Sequence, residues 1–286
     1  MKIGVIGAGA VGVGVCNYLL TLGSVSELVL LDQNLERAEG EVFDFRHTAA
    51  LTFSKNTRII PSDDYLDLLG ADIVVITAGA QIQQGQTRLD IAEINAKIGV
   101  EIARKIERVA PKAVLIVVSN PCDIVANRVD LDPKNIFGYV LGEHGSHCFT
   151  PKSLISIAGQ PADYYCDTHN IERIDADELL EAVKQAGYEI FRRKHNTVHG
   201  IAASVFRIIQ AIKINERSVL PVGTMMSGQY GVSGVVLSLP TVVGKKGAES
   251  VLTHPFTEEE LETLHSISMN LRSIAENVAQ STGLKC

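Results

Sequence analysis

The sequence predicts an α/β protein in which helices cover both faces of a parallel sheet, followed by an α+β lobe. In the first half, short runs rich in Val and Ile alternate with amphipathic stretches. This alternation is typical of a parallel sheet, because its strands are buried on both faces. The alternation ends after residue 121, and 286 residues reach the size at which a single core stops growing. We therefore expect two domains, over residues 1–140 and 141–286.

Five strands and three helices are predicted in the first domain. A strand is predicted where a short apolar run stands between turn residues, and a helix where apolar residues recur at three- or four-residue steps. The predicted strands cover residues 2–6, 28–31, 58–60, 73–77 and 114–118. The predicted helices cover residues 11–22, 35–45 and 89–109. In the third helix we expect one apolar stripe to face the sheet; it comprises Ile91, Ile94, Ile98, Ile102 and Ile106.

The second domain is predicted to mix helices with turn-punctuated strands. Helices are expected over residues 175–191 and 198–215, and strands over 219–242, where glycines recur. Thr257 and Glu260 form a capping-box pattern, which predicts a C-terminal helix from there to about residue 281.

Composition favours a small-molecule site. Twenty-six Lys and Arg against 33 Asp and Glu give a net charge of −7, which argues against binding nucleic acid or an anionic membrane. No uncharged stretch reaches membrane-spanning length, and the N-terminus enters an apolar run at once, so we expect a cytoplasmic protein. Five cysteines without a CxxC pair indicate neither a disulfide framework nor a metal site.

A glycine motif follows the first predicted strand and opens the first helix. Gly7 permits a tight turn, Gly9 allows the backbone to approach a pyrophosphate, and Gly12 allows close packing of helix and strand. Asp32 ends the second strand, where a carboxylate can accept the ribose hydroxyls of NAD and would repel the 2′-phosphate of NADP. Together these features predict a Rossmann-type domain that binds NAD. The alternatives are a tight turn without a ligand, or another adenosine ligand such as a flavin or a methyl donor.

Three further segments carry candidate chemistry. The segment 141–145 holds His144 between glycines at a strand end, a placement that suits an exposed imidazole. The segment 85–89 places Arg88 at the start of the long helix, and Asn120 stands at the tip of the fifth strand. Since hydride transfer to a carbonyl carbon leaves an alkoxide, a proton donor and a cation are what that step needs. Thr77, Ala78 and Gly79 end the fourth strand, where the nicotinamide half is expected.

In this order, the motifs GAGAVG, ITAGA, GQTRLD, VSNPCD and LGEHG resemble those of the L-lactate and malate dehydrogenase superfamily, on its L-lactate and L-2-hydroxyisocaproate side. The resemblance implies reversible hydride transfer between NADH and C2 of a small 2-oxo acid, in a homo-oligomer, a dimer or tetramer. It implies that His144 donates the proton, that Arg88 polarises the carbonyl, and that the substrate is bound by Ile82, Asn120 and Thr197. The cofactor-binding residues that it implies are Gly7, Gly9, Val11, Gly12, Asp32, Arg37, Tyr65, Ala78, Gly79, Val118 and Asn120.

This sequence departs from the family pattern between VSNPCD and LGEHG, where roughly thirty residues, the size of a strand and a helix, are absent. We therefore expect the sixth strand of the sheet to be missing. The absent segment carries the Asp that orients the imidazole and the Arg that binds the substrate carboxylate in the family. Losing the partner of a buried charge costs about 3–5 kcal/mol. The alternative function is therefore a catalytically impaired NAD-binding homologue, unless Asp130 or Asp132 substitutes.

Position 82 indicates which acid is preferred. Ile82 stands where lactate-specific members of the family carry Gln and malate-specific members carry Arg. A second carboxylate would lack its bidentate partner here, so malate is disfavoured and an aliphatic 2-oxo acid fits better.

Overall fold

The computed structural model describes residues 1–23, 25–49, 51, 56–80, 88–118, 135–143, 145 and 147–283. Its first part contains a parallel sheet of five strands, which are β1 (Lys2–Ile6), β2 (Glu27–Leu31), β3 (Arg58–Ser62), β4 (Ile73–Ile76) and β5 (Val114–Val117). Their order across the sheet is β3-β2-β1-β4-β5. Each predicted strand is present, and β3 extends two residues further than predicted. The extension includes Pro61, which an edge strand tolerates because one side of its backbone needs no partner.

Helices cover both faces of this sheet, so the predicted α/β class is confirmed. They are α1 (Ala10–Thr21), α2 (Leu35–Ala49) and α3 (Arg88–Val109). Ile3 and Val5 of β1 face a core cluster with α1 and α2, whereas Ile6 of the same strand faces a second cluster that contains α3. Side chains alternate between the two faces along a strand, and here both faces are buried, which is why the strands read as continuous apolar runs.

The apolar stripe of α3 only partly faces the sheet. Ile102 and Ile106 are buried, as predicted, but Ile94 is 46% exposed, so the prediction is wrong at that position. The reason is local: the neighbouring Asn95 hydrogen-bonds the backbone at Ala80, beyond the end of β4. At Asn95, α3 therefore contacts the loop that follows β4. The side chain of Ile91 lies outside the described residues.

The second part consists of four helices and eight strands within the described residues. The helices are α4 (Ala162–His169), α5 (Ala176–Lys194), α6 (His199–Lys213) and α7 (Glu258–Thr282), of which α4 was not predicted. The strands are β6 (Ile136–Phe137), β7 (Leu141–Gly142), β8 (Cys148–Phe149), β9 (Ser156–Ile157), β10 (Gln160–Pro161), β11 (Ser218–Ser227), β12 (Ser233–Gly244) and β13 (Gly247–Val251). They form one sheet in the order β10-β9-β6 and another in the order β11-β12-β7-β8, with β13 paired to β12. None of the helices in the described chain is both long and apolar enough to cross a membrane.

The two parts share a core where α6 crosses α1. Ala202, Val205 and Ile209 of α6 are buried in the cluster that contains the inner face of α1. A Cβ at Gly14 of α1 would lie 2.8 Å from a methyl carbon of Val198 and 3.3 Å from the Cβ of Ala202. Glycine at position 14 thus permits the close approach of the helices, and the second part is held against the sheet domain.

The outer edge of β5 carries exposed apolar side chains. Among the described residues β5 pairs with β4 alone and is the last strand of the sheet. The loss of a sixth strand stays a prediction. Leu115 is 44% exposed and Val117 is 77% exposed. Both lie on the sheet face opposite to Ile116, which is buried in the core shared with α1.

The C-terminal helix begins with the predicted capping box and with a contact that the sequence did not predict. The Oε2 atom of Glu260 accepts a hydrogen bond from the N–H of Thr257 at 2.9 Å. The same carboxylate accepts the N–H of Ser153 at 3.1 Å and the Ser153 hydroxyl at 2.7 Å. Partial burial raises the pKa of Glu260, but the hydrogen bonds from Thr257 and Ser153 outweigh burial and bring this pKa below its ordinary value.

We expect Glu260→Ala to lower the free energy of unfolding by about 1–2 kcal/mol at pH 7, because it removes both the cap and the contact with Ser153. The Glu260 carboxylate makes its full contribution to the free energy of unfolding at pH values above the pKa that Glu has in the unfolded chain, which is about 4.3. It is lost as the pH falls through the lower pKa of the folded state. Urea unfolding at pH 7 and in acid measures both effects. Glu259→Ala, in the same exposed first turn, is the matched control; equal losses in the two variants would contradict the assignment.

Candidate active site

The glycine motif adopts three different local geometries at the carboxyl end of β1. Gly7 has a φ of 106°, in the region that favours glycine, and a Cβ there would lie 2.9 Å from the backbone nitrogen of Ala78. A Cβ at Gly12 would lie 2.0 Å from the carbonyl oxygen of Gly7, so any side chain would separate α1 from the turn. At Gly9, by contrast, none of the described residues has an atom within 4 Å of an added Cβ. Gly7 and Gly12 are thus required by the fold, whereas the space above Gly9 is open to a ligand.

The N-terminus of α1 is suited to an anion. Gly9 is the N-cap residue, no side chain caps this end among the described residues, and the first turn carries no acidic residue. The N–H groups of this turn therefore face the open space above Gly9, where the helix dipole adds positive potential. Phosphate groups bind at such helix ends.

Asp32 is held rigidly at the end of β2, next to the glycine turn. Its Oδ2 atom accepts a hydrogen bond from the N–H of Ala8 at 2.7 Å, and its Oδ1 atom accepts the N–H of Asn34 at 2.9 Å. An ionised carboxylate offers about four acceptor positions, so acceptor capacity remains for hydroxyl groups. The bond to Ala8 connects the ends of β1 and β2 into one surface.

The end of β4 completes this surface, and two of its contacts were not predicted. The Thr77 hydroxyl donates to the carbonyl oxygens of Ile6 and Gly7, at 3.0 and 3.1 Å. The Oδ1 atom of Asn95 accepts the N–H of Ala80 at 2.7 Å and would lie 3.2 Å from a Cβ at Gly79. Asn95 had a signal in the sequence, because it is a polar residue within the apolar stripe of α3.

Four other cofactor candidates lie at the same edge of the sheet. Arg37 is exposed in the first turn of α2, and Val118 directly follows β5. Tyr65 begins the short 3-10 helix after β3, with the Lys105 ammonium 4.9 Å from its ring centre. Burial raises the pKa of the Tyr65 hydroxyl against the opposing field of Lys105. Val11 lies in the first turn of α1, at the glycine motif.

The substrate side is only partly described. Ile82, Asn120 and His144 lie outside the described residues, and for Arg88 only the backbone is described, at the first position of α3. Thr197 is half-buried in the connection between α5 and α6. Because the next residue, Val198, packs on Gly14, Thr197 is held near the first turns of α1. Its other neighbour, Asn196, has a buried Oδ1 atom for which the described chain offers no hydrogen-bond partner, and nothing in the sequence singled it out.

The segment around His144 contains a second imidazole that is paired to a carboxylate. The Nδ1 atom of His147 lies 2.9 Å from Oε2 of Glu143 and 3.2 Å from the side-chain nitrogen of Asn270. Glu143, the carboxylate next to His144 in sequence, therefore contacts His147. No group of three His, Cys, Asp or Glu side chains in the described part of the chain is arranged to hold a metal ion.

Comparisons with known proteins cover nearly the whole chain. The family model for the NAD binding domain of lactate/malate dehydrogenase matches residues 1–142, and the model for the alpha/beta C-terminal domain matches residues 87–282. The L-lactate dehydrogenase of Acetivibrio thermocellus is 36% identical over 310 aligned positions, which cover 97% of each chain. L-lactate dehydrogenase 2 of Clostridium acetobutylicum is 34% identical, again with 97% of each chain covered.

Solved structures show the same likeness. The minor L-lactate dehydrogenase of Enterococcus mundtii superposes with a TM-score of 0.89 at 30% identity, covering 97% of this chain and 98% of that chain. The lactate dehydrogenase of Cryptosporidium parvum, in complex with lactic acid and NAD, has the same fold, with a TM-score of 0.88 at 23% identity and 97% of each chain covered.

The alignment lengths agree with an internal deletion. The 310 positions aligned with the Acetivibrio thermocellus protein exceed the 286 residues of this chain by 24, so that relative has at least 24 residues without a counterpart here. Because both family models match and the relatives are similar along almost the full length, this chain belongs to the lactate/malate dehydrogenase family of NAD-dependent oxidoreductases.

Proposed function

We propose that this protein is an NAD-dependent L-2-hydroxyacid dehydrogenase of the L-lactate or L-2-hydroxyisocaproate type. It transfers hydride reversibly between NADH and C2 of a 2-oxo acid. The observation that supports this most is the surface formed by Gly9, the N-terminus of α1 and Asp32. Among the described residues it combines open space, a helix N-terminus without a side-chain cap and a fixed carboxylate. The two relatives described above are named L-lactate dehydrogenases, which also supports this proposal.

The described residues fit NAD. The backbone at Gly9 and Val11 binds the pyrophosphate at the helix N-terminus, and Asp32 accepts the ribose hydroxyls. Arg37, Tyr65, Ala78, Gly79 and Val118 flank the remainder of the cofactor at the carboxyl ends of the strands, together with Asn120. When bound, NADH supplies the hydride. The negative charge of Asp32 disfavours the additional phosphate of NADP.

Five residues would bind the substrate and protonate it, and they are Ile82, Arg88, Asn120, His144 and Thr197. As hydride reaches C2, the carbonyl oxygen becomes an alkoxide, and the His144 imidazolium transfers its proton to that oxygen. The Arg88 guanidinium polarises the carbonyl and stabilises the developing charge. Asn120 and Thr197 orient the substrate, and Ile82 favours an aliphatic side chain on it.

We propose that residues 1–140 form the NAD-binding domain and residues 141–286 the substrate domain, in a homo-oligomer, a dimer or tetramer. Exposed apolar side chains on α5 support assembly. Tyr188 and Phe191 are exposed and stand three residues apart, a spacing that places them on one face of the helix. Exposed apolar patches mark interaction sites. Free thiols at Cys16, Cys148 and Cys166 fit a cytoplasmic, reducing compartment.

A second candidate function is NAD binding without efficient catalysis. Two observations favour it: the relative's 24 or more additional residues, and the contact of Glu143 with His147, which leaves this carboxylate bound to another imidazole. Without an acidic partner, the His144 imidazole lacks the group that would orient it and stabilise its charged form.

We expect the protein to oxidise NADH with pyruvate or 2-oxoisocaproate, and His144→Gln to lower kcat by about 10²–10⁴-fold, the range of general acid catalysis. NADH absorbance measures both. His47→Gln, on the exposed surface of α2, is the control and leaves kcat unchanged. If the unmodified chain binds NADH without turning over any 2-oxo acid, the second function holds and the first is wrong.

Gly9→Ala is expected to weaken NADH binding by at least about tenfold, or 1.4 kcal/mol, without changing the thermal midpoint. The added methyl group contacts no described residue of the protein, but it would occupy the space proposed for the pyrophosphate. Gly40→Ala, where an added Cβ is equally free of contacts, leaves NADH affinity unchanged. Gly12→Ala instead destabilises the fold. Fluorescence titration and calorimetry distinguish these outcomes, and unaltered affinity in Gly9→Ala would refute the proposed position of the pyrophosphate.

Asp32→Asn keeps an acceptor for the N–H of Ala8 but removes the charge. We expect NADH to bind more weakly and NADPH more strongly. The dissociation constant for NADH divided by that for NADPH should therefore rise by about tenfold or more. Asp44→Asn, an exposed carboxylate on α2, is the matched control for the change in net charge. An equal change of this ratio in both variants would show that Asp32 does not distinguish the ribose of NADH from the phosphorylated ribose of NADPH.

A further inference from the structure

An open cleft lies where the start of β5 meets the two-residue turn between β12 and β13. Its volume is about 650 Å³, and three lysines line it: Lys112 before β5, and Lys245 and Lys246 in the turn. Val114, Leu115 and Gly247 contribute to its wall. A cleft of this size accommodates a small molecule.

Tertiary packing brings the lysines together. Gly247 has a φ of 86°, and a Cβ at this position would lie 2.9 Å from a methyl carbon of Val114, so the turn rests directly on β5. The N–H of Lys245 also donates to Oδ1 of Asn215 at 2.9 Å, which fixes the turn from its other side. The cleft is therefore a built feature of the fold, with its two walls held in contact.

The cleft is cationic in a protein whose net charge is −7. None of the three lysines forms an ion pair within the described part of the chain, where the neighbouring acid, Glu249, pairs with Arg217. Glu249 also accepts the backbone N–H of Lys246 at 3.4 Å. The three lysines place three positive charges around one cleft. A multivalent anion would relieve their mutual repulsion.

The edge of β5 adds an oriented donor. The N–H of Val114 donates to the carbonyl of Asp72 at 3.0 Å, toward β4. Alternate residues of a parallel strand direct their N–H groups to opposite sides. The N–H of Leu115 therefore points to the outer edge, where no strand in the described residues pairs with β5.

We propose that this cleft binds a small multivalent anion, of the class of di- and triphosphates, through Lys112, Lys245, Lys246 and the N–H of Leu115. The cleft lies at the amino end of β5, whereas the glycine turn follows the carboxyl end of β1. Since these strands are parallel, the cleft and the glycine turn lie at opposite ends of the strands. The anion therefore binds independently of the cofactor's pyrophosphate.

The test is a titration of the ¹⁵N-labelled full chain with tripolyphosphate, followed by backbone amide shifts. The expected result is that the amides of Leu115, Gly247 and Ala248 shift, and that Lys245→Ala/Lys246→Ala raises the dissociation constant at least tenfold. Lys97→Ala/Lys194→Ala removes the same charge from exposed positions elsewhere and changes the constant less than twofold. Lys245→Arg/Lys246→Arg retains binding. A citrate titration shows whether the cleft requires phosphate or accepts any trivalent anion.

Three results would overturn the proposal. Shifts confined to Gly9, Val11 and their neighbours would place tripolyphosphate at the N-terminus of α1. Equal weakening in the two double alanine variants would indicate attraction by overall charge. Absence of any saturable shift would show that the cleft binds no such anion. Lys112→Ala, on the opposite wall, provides a second variant if the turn variants unfold, and each variant's thermal midpoint is measured first.

Discussion

The close approach of α1 to the turn after β1 is the contact on which the remainder of the structure depends. It requires glycine twice: at position 7, whose φ is positive, and at position 12, where a Cβ would lie 2.0 Å from the Gly7 carbonyl oxygen. This approach directs the N–H groups of α1 into open space above Gly9. It also brings the N–H of Ala8 to the Asp32 carboxylate, so one packing constraint positions both the helix N-terminus and the carboxylate that we propose to bind the ribose.

The same helix connects the proposed cofactor and substrate sites. On its far side, α1 contacts α6 at Gly14, and this contact holds Val198, and with it Thr197, near the glycine turn. Hydride transfer requires donor and acceptor carbons within contact distance, with little freedom to separate. A core shared between the two parts, with Ala202 and Val205 packed beside the inner face of α1, would provide that rigidity in the proposed function.

The segment that is absent relative to the family lies next to several features of the structure. Within the described residues β5 is the last strand of the sheet, Leu115 and Val117 are exposed, and the lysine-lined cleft lies beside the β12–β13 turn. The resemblance implies that the absent segment carries the acid that orients the catalytic imidazole in the family. Glu143, a carboxylate near this position in the sequence, contacts His147. The second candidate function depends on this difference from the family.

The sequence by itself determined the parallel sheet, most of the helices and the cofactor. The five strands of the parallel sheet were predicted to within two residues because strands buried on both faces are continuous apolar runs. Asp32 was found because the motif sets its distance from the glycines. The short strands β6 to β10, the strand β13 and the helix α4 were not predicted. Tertiary structure alone decided which distant residues meet. Asn95 binds the loop after β4, Glu260 binds Ser153, Ile94 is exposed, and Lys112 joins the turn at Lys245. Local periodicity reports which face of an element is apolar, but the partners of that face are selected by packing between segments far apart in the chain.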